Sequence, residues 1–346
     1  MQLDMTKGRP MPIILKFFVP IFIGNMFQQF YNMVDSIIVG RYVGEEAFAA
    51  VGSTGTIMFL VLGFANGLST GFTVLTSQKF GAKDEKGIRQ SVSNAIILSV
   101  IVSVVMTIIS VLSMGALLHL MNTPKNIYHY AYDYIIIITG GTAAVCFYNL
   151  FSALLRAVGN SKAPLFFLIL SAVLNIFLDL LFIIRFRWEV QGAAIATIAS
   201  QAISAVCCLF YILAKVKILV PHRDEWKING HYAKKQLAVG FPMALQFGIT
   251  ASGTLIMQSA INRFGSTAIA GFNASSKVGN LLTQAFPALG QSMATYTGQN
   301  FGKRDIDRIN RGSHVAIVIS AIASALGLVL GLVLLKPAIP LFLGSN

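Results

Sequence analysis

Two acidic residues stand inside long apolar runs, Asp35 and Asp179. Asp35 follows Lys16 by 19 residues and Asp179 follows Lys162 by 17. On helices rising 1.5 Å per residue, those spacings place the two carboxylates about 28 and 26 Å along their axes. Carboxylates from separate helices thus reach a matched depth. Ionisable side chains within apolar spans are costly and mark ion or proton pathways by default. Asn175 precedes Asp179 by four residues and shares its helical face, where its amide suits a carboxylate or a bound cation. The competing reading is interfacial: both acids cap helix ends, or pair with Arg41, Arg185 or Arg187.

Lys277 is the other charge set within an apolar run, in a stretch from Trp226 to Arg304 that holds no Asp or Glu. It either lines a cavity and attracts anionic groups, or snorkels to an interface. Gln28, Tyr31 and Tyr148 are candidate cavity residues, because polar-tipped aromatics suit a permissive apolar site. Most Phe, Met and Tyr side chains here are better read as packing or lipid-facing. Gly63, Gly67 and Gly71 recur every four residues, a spacing that lets helices approach closely.

The elements that carry these residues follow from composition. Of 346 residues, 55% are hydrophobic and 11% charged, and mean hydropathy is +0.71. Soluble domains carry about a quarter charged residues, so this is an all-α polytopic membrane protein. Nine apolar runs are long enough to span a bilayer: 12–40, 47–77, 91–121, 127–155, 163–185, 190–215, 236–263, 268–299 and 309–335. Pro20, Pro242 and Pro287 inside such runs predict bends. The first run is too long for a signal peptide and lacks a small-residue cleavage site, so it stays as a span.

Several functions are excluded. The net charge of +13 comes from clusters between spans rather than from a nucleic-acid-binding stripe. No G-x-x-x-x-G-K-[ST] occurs, so no P-loop binds ATP, and no H-E-x-x-H or G-x-S-x-G points to an enzyme. Cys146, Cys207 and Cys208 lie in apolar runs, and the five histidines are scattered, so neither a metal site nor a cofactor is expected.

Basic residues set the orientation. Nineteen of 26 fall in the clusters 7–16, 79–89, 156–162, 215–235 and 303–311, against six at Arg41, Lys125, Arg185, Arg187, Arg263 and Lys336. The N-terminus is therefore expected in the cytoplasm, with the protein in the cell membrane. The polar stretch 216–235 then reads as a cytoplasmic connector between an N-terminal lobe of six helices, 1–215, and a second unit, 236–346. A shift of 221 residues lays Gln78, Phe80, Gly81 and Asp84 onto Gln299, Phe301, Gly302 and Asp305, and Gly44, Ala47 and Ala49 onto Gly265, Ala268 and Ala270. Repeats of this kind are common in secondary transporters. An even number of helices before the connector makes the repeat parallel. The second copy holds three helices where the first has six, so it reads as incomplete.

At this point the sequence resembles the multidrug and toxic compound extrusion (MATE) family. The resemblance rests on Pro20, on Asn25–Val39 with Val34-Asp35-Ser36 and Gly40-Arg41, and on Gln78-Lys79-Phe80-Gly81-Ala82. It rests further on Ala153–Gly159, Asn175-Ile176-Phe177-Leu178-Asp179 and Gly298-Gln299-Asn300-Phe301-Gly302. It implies twelve helices in two lobes, of which nine are present, and alternating access. It also implies export of cationic or amphipathic small organic molecules by antiport with H⁺ or Na⁺. By the same resemblance Pro20 is a first-helix kink, and Asp35, Asn175 and Asp179 form the cation-coupling site. The seventh run carries no acid, which favours proton coupling through the first lobe. The alternative within transport is a flippase for lipid-linked saccharides, which calls for a cavity richer in Arg and Lys. The alternative of another class is a channel or membrane sensor.

Overall fold

The computed structural model describes residues 3–121, 123–261, 272, 276 and 279–343. Its helices are α1 (Pro10–Tyr42), α2 (Glu45–Gly81), α3 (Glu85–Leu120), α4 (Lys125–Gly140) and α5 (Thr142–Ala157). They continue with α6 (Lys162–Asp179), α7 (Glu189–Lys215), α8 (Gly230–Ile261), α9 (Ala285–Gly302) and α10 (Ile306–Leu343). Six of the described helices have the length and hydropathy to cross a membrane, or seven if the bent pair α4–α5 is one span. The set leaves out α8 and α9, whose apolar residues are interrupted by Gly, Gln, Ser and Thr. Nine spans are therefore not reached by this measure.

α1 runs unbroken through Pro20. A bend of 47° separates α4 from α5 at Gly140–Gly141. Gly141 is required by packing, since a Cβ there would lie 2.5 Å from the Ile198 side chain on α7. α6 passes directly into one π-helical turn, Leu180–Arg185, immediately after Asp179. Such turns are rare and cluster at functional sites. The outer face of α3 is an apolar stripe, with Ile101, Val104, Ile108 and Leu112 exposed, as a lipid-facing helix requires.

The 221-residue shift is visible in the helices themselves. It carries Gly81, the end of α2, onto Gly302, the end of α9, and Glu85, the start of α3, onto Ile306, the start of α10. Asp84 accepts from the Gly87 N–H at 2.8 Å, and Asp305 accepts from the Arg308 N–H at 3.1 Å. Both copies thus begin their third helix with the same aspartate cap. The glycine ladder on α2 faces α8: a Cβ at Gly67 would lie 2.7 Å from the Ala244 Cα, and one at Gly71 would overlap Gly240. Close backbone approach of that kind makes up for the missing hydrophobic drive between helices in lipid.

The connector is shorter than the sequence suggests, because α8 begins at Gly230 inside the stretch expected to be polar linker. Asn229 explains it. Its Oδ1 accepts from the His231 N–H at 3.0 Å, capping the helix, while its own N–H donates to Asn94 Oδ1 at 2.9 Å. The preceding turn is pinned to α3 by buried Glu225, which accepts from Arg89 Nε at 2.9 Å.

At the end of the molecule rich in basic residues, the chain's first residues join the two repeats. Leu3 N–H donates to Gly159 O at 3.0 Å on the first lobe. Met5 N–H donates to Gln299 Oε1 at 2.9 Å on α9, and Gln299 Nε2 donates to Ala157 O at 3.0 Å. Arg308 donates to the carbonyls of Met5, Lys7 and Gly8. This end is closed.

Candidate functional site

Asp35 and Asp179 come together. α1 presents Asp35 and α6 presents Asp179 at the same level, and the two side chains adjoin. Both are buried, 7% and 0% exposed, so the interfacial-cap reading does not describe them. No ion pair joins either to Arg41, Arg185 or Arg187 among the described residues. One oxygen of Asp35 and both oxygens of Asp179 lack a hydrogen-bond partner.

α7 completes the group. Asn175 Nδ2 donates to Thr197 Oγ1 at 3.3 Å, so the amide faces α7 rather than a carboxylate. Its Oδ1 is buried and unpartnered, as is Oε1 of Gln201 one turn beyond Thr197. Tyr31, one turn before Asp35, approaches Gln28, Gln201 and both carboxylates, and Tyr134 of α4 is near enough to interact electrostatically with the same acids. Acceptor oxygens thus gather with few donors. Buried acceptors without donors are costly, and two carboxylates in one apolar site disfavour double ionisation. The arrangement suits a proton shared by the acids or a small cation among the oxygens. Groups of three or more His, Cys, Asp or Glu fit for a metal are absent among the described residues.

A cavity of about 630 Å³ lies beside the pair. Pro20, Gln28, Tyr31, Asp35 and Tyr148 line it, as do Tyr134, Thr197 and Gln201. The second repeat contributes Phe247, Gln284, Pro287 and Gln291. Asp35 forms part of the wall, and Asp179 stands behind it, so the acid pair meets solute through one member. Lys277 lies outside the described residues. The cavity's basic residue among those described is Arg156, in the last turn of α5.

Sequence reasoning placed Arg156 with the loop charges because Lys162 follows closely. Thr197 and Gln201 also escaped notice. Their i, i+4 spacing within the apolar run of α7 was the available signal.

The sequence pattern of the MatE family matches residues 20–181 and 242–346. The chain is 31% identical over 301 residues to the probable multidrug resistance protein YpnP of Bacillus subtilis, covering 86% of this chain and 67% of that one. It is 26% identical over 334 residues to the probable multidrug resistance protein YoeA of the same organism, covering 94% and 72%. Among solved structures, a MATE in complex with MaL6 superposes with a TM-score of 0.90 at 25% identity, covering 99% of this chain and 76% of that one.

Proposed function

Since the chain belongs to the MatE family, we propose that it takes part in exporting cationic or amphipathic small organic molecules across the cell membrane, with its N-terminus in the cytoplasm. Export is driven by proton antiport through Asp35 and Asp179. The adjoining, unpartnered carboxylates at the wall of a 630 Å³ cavity carry this reading. A cationic solute beside Asp35 favours the ionised pair, and a proton neutralises it, so the two compete for one charge. Competition of that kind is what exchange requires, since each ligand can shift the protein only through its differential affinity.

The N-terminal contacts at the closed end are the ones that must open to admit solute from the cytoplasm. A saccharide flippase is less well supported, since a pyrophosphate calls for several cations and Arg156 is the basic lining residue described. A channel would not need coupled acids buried beside a closed end.

The test is uptake of a lipophilic dye cation into inverted vesicles under separately imposed proton and sodium gradients. Uptake driven by the proton gradient and abolished by a protonophore is expected. Uptake driven by sodium alone would replace protons as the coupling ion, and uptake that needs neither gradient would remove antiport.

A further inference from the structure

The cavity is bipolar. Among the described residues that line it, Asp35 and Arg156 are the charged ones. They lie at opposite ends, Asp35 late on α1 and Arg156 in the last turn of α5, on helices running in opposite directions. Arg156 has no hydrogen bond or ion pair among the described residues, and the groups it faces are Tyr148 and Cys208, not an acid. An arginine at a helix end normally extends toward water. Here the side chain is part-buried, in the closed end where Ala157 O accepts from Gln299 and Gly159 O accepts from Leu3. Thr73, Ser77, Gln291 and Thr295 line a small void together with Arg156, polar neighbours that do not neutralise it.

A part-buried cation without a counter-charge is destabilising unless something supplies one. The open direction is the cavity. A guanidinium presents a rigid fork of donors that matches a carboxylate in two parallel hydrogen bonds. Resting on the export reading above, we propose that Arg156 is an anion subsite. It takes the carboxylate of elongated amphoteric solutes whose ammonium group lies toward Asp35. Arg156 then sets the preference of this cavity between zwitterions and plain cations. The aromatic wall between the charges, with Tyr31, Tyr148 and Phe247, receives the solute's apolar middle.

The experiment measures binding of a matched pair to the purified protein by calorimetry. One ligand is an aminomethyl-biphenyl-carboxylic acid with its charges at opposite ends, and the other is its methyl ester, a plain cation. The wild-type protein binds the acid more tightly. Arg156→Gln loses about 10- to 100-fold on the acid and leaves the ester unchanged, the range expected for a lost charge-assisted pair. Arg156→Lys, which keeps the charge but not the fork, falls between. Unchanged ester binding also reports that each variant is folded. Equal loss on both ligands, or no loss on the acid, overturns the subsite while leaving cation export standing. Failure of the wild-type protein to bind either ligand overturns both.

Discussion

Gly81 and Gly302, 221 residues apart, make the same contact from opposite sides. A Cβ on Gly81 would overlap the Gln299 carbonyl, and one on Gly302 would overlap the Gln78 carbonyl. The shift that exchanges the glycines also exchanges the glutamines, so the two repeats meet here around a local two-fold. The Gln-x-Phe-Gly motif, conspicuous as a polar pattern in an apolar sequence, is the seam of the closed end.

Substituting either glycine therefore pushes the repeats apart. Gly81→Ala and Gly302→Ala are each expected to cost about 1–3 kcal/mol, the usual penalty for added volume in a packed core. The check is thermal unfolding in detergent: both variants lose Tm by similar amounts. A large loss in one and none in the other would contradict the two-fold contact.

The N-terminal tether rests on Arg308. Its guanidinium makes four hydrogen bonds, two to Met5 O and one each to Lys7 O and Gly8 O. Hydrogen bonds to charged groups contribute about 1.5–3 kcal/mol. Arg308→Ala should accordingly raise amide exchange over residues 3–8 by about tenfold or more, with α3 unaffected as an internal control. Unchanged exchange would mean the tether holds without this side chain.

Orientation is testable at His222, which is exposed in the turn before α8. With Cys146, Cys207 and Cys208 replaced by alanine, His222→Cys should resist an impermeant thiol reagent in intact cells. It should react after permeabilisation. Labelling from outside would reverse the topology.

Asp84 provides a pH-dependent term. The Lys79 ammonium at 2.7 Å and the Gly87 N–H hold its carboxyl below the ordinary range. A depressed folded pKa gives stability that is present above the unfolded value of about 3.9 and lost as pH falls through the folded value. Asp84→Asn keeps a capping oxygen but removes the ion pair. The variant should lose a few tenths of a kcal/mol at neutral pH, as expected for a half-exposed pair, and converge with the wild type as pH falls through the folded value. A difference that persists at low pH would place the effect in the cap instead.

Much of the site was legible because helical rise converts sequence spacing into depth. Asp35 and Asp179 were matched that way, and their side chains adjoin. Asn175 was on the right face, but its amide bonds Thr197, a partner that depends on which neighbour α6 packs against. Spacing along one helix carries no such information. Arg156 was counted only as a basic residue at a span's end, because whether such a residue points to water or inward depends on what packs there. Here the neighbouring carbonyls of Gly159 and Ala157 are bonded by Leu3 and Gln299, distant in sequence. The bend at Gly140–Gly141 lacks a proline, and Gly141 packs against Ile198, which is distant in sequence.

The central claim is that one buried acid pair holds either solute or proton. The most direct measurement is proton release when a lipophilic cation such as tetraphenylphosphonium is added to purified protein in weakly buffered detergent. The wild-type protein should acidify the solution on binding, and Asp35→Asn and Asp179→Asn should each bind with little or no release. Release of the same size from either variant would contradict the account, because the exchanged proton would then reside elsewhere.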